Sequence, residues 1–268
     1  MGFFSNLFGK KNNKKDEKTE DTALFYAQQD ERMQAAMLEA QQSFKYFWRE
    51  LYWEYRRIVP AHDFAMVKIS FEQQMKGQDD PVVEHMWINN IQFDGEVIKG
   101  ELVNAPHQLT NITKGDSVSR KKEEIGDWMM SMLGKTYGGF TIHAMRSVMS
   151  HNERMAHDKA WGLNFGDFND ILLVHEQKEH PENLIDHPMA KNMEEKYREF
   201  LESNPNEPTN ADENGFTTLH YEAIAGNKNL IKLLLEFGAD KTIKSNTGKT
   251  AYDYAKMMGW SELLDILK

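Results

Sequence analysis

The 268-residue chain contains no cysteine. That excludes disulfide staples, thiolate zinc sites and cysteine nucleophiles, and it fits a reducing cytoplasm. Proline is scarce, and residues 21–58 hold neither proline nor glycine. No apolar run reaches the roughly 18 residues that a membrane-spanning helix needs. Positive charge is in deficit, with 32 Lys and Arg against 42 Asp and Glu, for a net charge of −10. The deficit sits in the middle of the chain, because residues 1–20 carry +2 and residues 205–268 carry −2. An acidic body repels phosphate backbones, which argues against nucleic acid as a partner. It suits a basic protein partner, since charge complementarity speeds encounter.

What the chain does contain is organised in three stretches: residues 1–20, 21–180 and 188–268. Residues 1–20, MGFFSNLFGKKNNKKDEKTE, are not a signal peptide, because the lysines follow the apolar residues. They read as a disordered basic tail. Phe3, Phe4, Leu7 and Phe8 on one face of a short helix would give at most weak membrane-surface contact. From Asp21 to about Ile58, Met33, Met37, Ala40, Phe44, Phe47, Leu51 and Tyr55 recur at spacings of three and four. That is one stripe of an amphipathic helix, expected to pack on a sheet. Pro60 ends it.

After Pro60 the texture becomes strand-like. Residues 64–72, 82–93, 97–104, 116–120 and 140–148 are rich in branched and aromatic residues, and Asp94–Gly95 is a hairpin signal. The fold expected is α+β: a long N-terminal helix packed on a bent, mainly antiparallel sheet, followed by an all-α module.

The order of short motifs in this region is specific. Glu84, His85 and Trp87 are followed by Gly100, Leu102, Asn104 and Pro106. Ile125, Asp127 and Trp128 come next, and then Gly138, Gly139 and Thr141. Residues 28–175 thereby resemble the bacterial YegJ-like family, domain of unknown function 2314. Phe140 stands where that family has tyrosine. The resemblance implies a fold and no established activity.

Catalytic patterns are absent. Both Gly-Lys-Thr triplets lack the earlier glycine of a phosphate-binding loop, with Met129 and Ile243 in its place. His175 and His180 are one residue too far apart for a zincin pair, and the five histidines between 151 and 187 follow no ligand spacing. No catalytic residue, cofactor or metal is assigned. One candidate ligand pocket remains: His85 as an acid or base, Asp127 as its orienter, and Trp87 and Trp128 as walls. It requires the Ile125–Trp128 turn to fold against the His85 strand. Otherwise His85 is a structural histidine, and Asp127 caps a helical turn or braces a loop.

The C-terminal stretch repeats at 33 residues: Gly215 with Gly248, Thr217 with Thr250, Gly226 with Gly259, Leu230 with Leu263, Leu234 with Leu267. Residues 215–240 resemble the ankyrin consensus, with Thr218 for proline and Glu222 for alanine. Residues 190–203 read as the outer helix of a half repeat that caps the stack. The resemblance implies a non-catalytic protein-binding scaffold. Phe216, Tyr221, Lys249 and Tyr254 occupy variable positions, and Tyr221 and Tyr254 are expected to stack as an exposed pair. The function expected is that of an adaptor or inhibitor, with an immunity-type protein against a basic toxin as its most specific form. The alternative is an enzyme or small-molecule sensor using His85 and Asp127.

Overall fold

The computed structural model describes residues 31–268, so the basic tail expected at residues 1–20 and its membrane-surface contact through Phe3, Phe4, Leu7 and Phe8 lie outside the described residues. Two compact units are present. The first comprises residues 31–42 and 61–172, and the second comprises 43–60 and 173–268. Helix α1, Glu31–Glu54, contributes to both. This differs from a division into 21–180 and 188–268, because residues 43–60 group with the C-terminal segment.

The first unit is built on six antiparallel strands: β1 His62–Gln73, β2 Val82–Phe93, β3 Val97–Leu102, β4 Ser117–Lys121, β5 Ile125–Met132 and β6 Lys135–Gly138. Their order is β4-β3-β2-β1-β5-β6. Only three residues separate β4 from β5. In a flat sheet these strands, four places apart, would stand about 19 Å from each other at about 4.8 Å per strand. Four chain steps reach about 14 Å at most. The sheet must therefore curl, and the Arg120 guanidinium of β4 lies 5.1 Å from the Phe71 ring of β1. A bulge between Asn89 and Gln92 accompanies the bend, with Asn90 at φ 52.

Both faces of the central strands are covered. Trp128 on one face donates from Nε1 to the Ala40 carbonyl of α1 at 3.0 Å. Phe64, Met66, Trp87 and Met129 pack on the other with Ile142, Leu163 and Phe165. Double coverage explains β5, Ile-Gly-Asp-Trp-Met-Met-Ser-Met, in which all eight residues are buried. The turn expected at Ile125–Trp128 is therefore the first half of this strand. Residues 140–148, expected as a strand, form helix α2, Phe140–Val148. Gly139 precedes it at φ 76, and Phe140, Thr141, Ile142, His143 and Arg146 are buried. Helix α3, His151–Trp161, opens on a Ser150–Glu153 capping box and closes on left-handed Gly162.

In the second unit, α4 (Pro188–Asn192) and α5 (Glu194–Ser203) precede two helix pairs: α6 Thr218–Ala225 with α7 Lys228–Glu236, and α8 Ala251–Met258 with α9 Ser261–Leu267. Each pair turns on a left-handed glycine, Gly226 or Gly259. A Cβ on Gly226 would stand 2.2 Å from the Trp260 ring, whose Nε1 donates to the Ile224 carbonyl at 3.1 Å. The last turns of α1 complete this unit. Trp53 joins Ala190 and Leu230 in one apolar cluster with Met189, Met193 and Tyr197. Its indole N–H donates to Asn227 Oδ1 at 2.9 Å. Lys45 donates to the Gly259 carbonyl at 2.8 Å, and Tyr46 meets Trp260 edge-on. Of the apolar stripe, Met33, Met37 and Ala40 thus group with the first unit, and the members from Phe44 onward with the second. Tyr55, expected as its last member, is exposed.

Candidate functional site

Three strands set one row of side chains on a single face of the sheet: Trp87 of β2 opposite Lys68 of β1, and Lys68 opposite Asp127 of β5. Asp127 is fully buried. Its carboxylate accepts from the backbone N–H groups of Trp128 at 2.8 Å, Phe140 at 3.0 Å and Thr141 at 2.8 Å, and from the Thr141 hydroxyl. A carboxylate at the start of α2 also meets the positive end of the helix dipole. Burial pushes its pKa up, against the opposing pull of the Lys68 charge and these hydrogen bonds. Lys68 gives a hydrogen bond to Thr141 Oγ1 at 2.6 Å and lies 4.9 Å from the Trp87 ring. Burial lowers the lysine's pKa and Asp127 counteracts it.

His85 lies on the next rung, opposite Ser70. Its expected partner Asp127 is two strands away and occupied by α2, so the structure does not bring the two together. The reason is that Ile125–Trp128 is a strand and not a turn. Trp87 and Trp128 are also separated. Trp87 shares a row with Lys68 while Trp128 pairs with Val67, on the opposite face, so they cannot wall one pocket. Burial and then the Lys68 charge hold the His85 pKa down at about 4. Among the described residues no three His, Asp or Glu side chains gather as a metal set.

In the repeats, Phe216 is buried beside Tyr221 and Tyr254, with ring centroids 5.2 Å from each. Tyr254 is fully buried, and its hydroxyl bonds to those of Ser245 and Thr247 at 3.0 and 3.1 Å. The expected exposed Tyr221–Tyr254 pair is thereby corrected. Phe216 intervenes, and Tyr254 is part of the repeat core. Tyr221, whose hydroxyl donates to Asp212, and Lys249 are partly exposed. His220 ties the turn: Nδ1 accepts from Thr217 N–H at 3.1 Å, and Nε2 meets the Lys249 carbonyl at 3.2 Å. Glu222 fills the consensus alanine position for a local reason. Its buried carboxylate accepts from Tyr52 and Arg56 of the α1 end, each at 2.9 Å, and from Asn227 at 2.6 Å.

Comparison with known proteins finds one family model for each part of the sequence. The family model described as "Uncharacterized protein conserved in bacteria (DUF2314)" matches residues 30–165. The chain belongs to this family. A model for ankyrin repeats, described as three copies, matches residues 188–268. A relative from Neisseria meningitidis serogroup B, titled "Putative ankyrin repeat protein", is 48% identical over 249 residues, covering 92% of this chain and 98% of the relative. The uncharacterized protein YegJ of Escherichia coli K12 is 37% identical over 59 residues, 22% of this chain and 39% of that protein.

Most motif residues of this DUF2314 member have mechanical roles. Glu84 accepts from the backbone N–H groups of His107, Gln108 and Leu109 at 2.6–3.0 Å and so braces that loop. Burial would raise its pKa, but the three donors outweigh it and hold the carboxyl below its usual range. Asn104 accepts from Trp87 N–H at 3.0 Å. A Cβ on Gly100 would come 2.6 Å from the Asn89 carbonyl, and one on Gly138 would come 2.4 Å from Trp128. Sequence reasoning missed Lys68. Its signal was a lysine in the inward register of an alternating strand, Phe64, Met66, Lys68.

Proposed function

We propose that the chain is a non-catalytic protein-binding module that acts as an adaptor or inhibitor through its ankyrin repeats. The observation that carries this reading is the repeat module itself, a fold whose general use is protein interaction. Its exposed side supports it: Asp212, Asn214, Asn246 and Thr247 are exposed, and Tyr221 and Lys249 reach solvent beside them. The net charge of −10 favours a basic partner, and the lack of cysteine suits a cytoplasmic setting. No described helix is long and apolar enough to cross a membrane.

The test is capture of a partner from host lysate by the intact chain and by a Tyr221→Ala/Asn214→Arg variant, which removes an aromatic contact and puts a positive charge on the exposed face. Capture by the former, loss in the latter, and release as salt rises to about 0.5 M are expected. A partner held equally by both proteins would move the interaction off the repeats and overturn this reading.

A further inference from the structure

Buried polar atoms nearly always have a hydrogen-bond partner, and each exception asks for an explanation. Nδ1 of His85 is buried and has no such partner among the described residues. On the adjacent rung of the same face, Lys68 gives one hydrogen bond, to Thr141 Oγ1, although an ammonium has three donors. Beside both groups, β1 and β5 slip register between Lys68 and Ile69, opposite Gly126. Bulges of this kind are frequent next to binding sites. A Cβ on Gly126 would stand 3.7 Å from His85 Nδ1, so a side chain there would lie directly against that edge of the imidazole. A cavity of about 610 Å³ opens one rung further along, lined by Ser70, Glu72, Val83, Arg120, Lys121 and Glu124 among others. Ser70 is the residue opposite His85.

We propose that Lys68 and His85 form a binding site for a small oxyanion, a carboxylate or phosphate group, that enters along this cavity past Ser70. The ammonium supplies the charge and a free donor. The imidazole, neutral at pH 7, donates from Nδ1 in the matching tautomer. Asp127 does not compete for the lysine's free donors, because its oxygens are taken by the start of α2. Glu72 and Glu124 offset Arg120 and Lys121 in the cavity wall, so selectivity for an anion rests on Lys68. The site is independent of the repeats and of their partner.

The experiment is an NMR titration of the intact, histidine-labelled chain at pH 7 and constant ionic strength, with acetate in one arm and inorganic phosphate in the other. The His85 ring resonances are assigned with His85→Gln. Saturable shifts with either probe are expected. Phosphate alone identifies a phosphoryl ligand, and acetate, with or without phosphate, a carboxylate. Gly126→Ala puts a methyl group against His85 Nδ1, and Lys68→Gln removes the charge. Each is expected to weaken binding at least tenfold. Circular dichroism checks that the variants fold, and Gly126→Ala decides the matter if Lys68→Gln does not. Unsaturated shifts with both probes, or affinity unchanged in Gly126→Ala, would overturn the proposal and leave His85 with an ordered water only.

Discussion

Glu222→Ala restores the ankyrin consensus at its position, yet the structure predicts that it destabilises the protein. Glu222 is 1% exposed and accepts three hydrogen bonds, from Tyr52, Arg56 and Asn227. Removing a buried charged partner ordinarily costs about 3–5 kcal/mol, because the charge left behind is uncompensated. Here the other charge is Arg56, whose side chain is 38% exposed and can be rehydrated, so the ion-pair part must be discounted. What remains is the amide of Asn227, fully buried and stripped of one acceptor, and the Tyr52 hydroxyl. Orphaning such groups costs about 1–3 kcal/mol. A net loss of about 2–3 kcal/mol is expected. Urea unfolding read through Trp53 and Trp260 fluorescence measures it, with Arg56→Ala and the double variant closing a cycle. Coupling between the two of about 1 kcal/mol is expected. A Glu222→Ala variant within about 0.5 kcal/mol of the parent would mean that consensus repeat packing, and not the contact with α1, governs this position.

Gly138→Ala should cost more, about 3 kcal/mol or above, because φ is 70 and the new Cβ would meet Trp128; a soluble variant with a parental melting temperature would refute the contact. Tyr254→Ala should unfold the repeats, whereas Tyr221→Ala should leave their melting nearly unchanged; equal effects on thermal denaturation would contradict the burial assigned here. His85 and His143 are both held at about 4, His143 by burial and then by Arg146. A histidine depressed in the folded state takes up its proton first in the unfolded chain. Its stabilising contribution is therefore present above about pH 6.5 and is lost as pH falls towards 4, by up to about 3 kcal/mol for each group. Urea midpoints from pH 7 to 4.5 should decline, and His143→Gln should flatten the decline; an unchanged slope would exclude that histidine as a cause.

The fold was legible in the sequence where one physical signal dominates. The 33-residue recurrence named the repeats because each unit must stack on a similar neighbour. Asp94–Gly95 marked the hairpin, and the stripe from Met33 onward marked the helix. The sequence was silent where a signal reports burial without saying against what. The stripe does not reveal that Ala40 meets the sheet while Trp53 meets Ala190 and Leu230. Strand β5 lacks alternation because both of its faces are covered. Residues 140–148 alternate like a strand, but the Asp127 carboxylate, thirteen residues earlier, receives the first N–H groups of a helix. That His85 and Trp87 share one face follows from the alternation of strand β2. Lys68 was overlooked, and the pairing with Asp127 failed because strand β1 lies between.

The motif residues then divide by what the fold demands of them. Glu84 holds three backbone donors, Asn104 one, Gly100 and Gly138 admit close neighbours, and Asp127 secures α2. Each has a mechanical reason to be what it is. His85 has none: its buried nitrogen has no partner among the described residues, and its low pKa makes it a burden below neutrality. Replacing an unsatisfied polar group by an apolar one of similar shape is neutral or stabilising, by about 1 kcal/mol. His85→Leu is therefore expected to match or exceed the parent in urea, while Glu84→Ala, its neighbour in the chain, should lose about 1–3 kcal/mol. Loss of stability in His85→Leu comparable to that in Glu84→Ala would show that the imidazole is part of the framework. Gain or neutrality would leave binding as the reason for a histidine at this place.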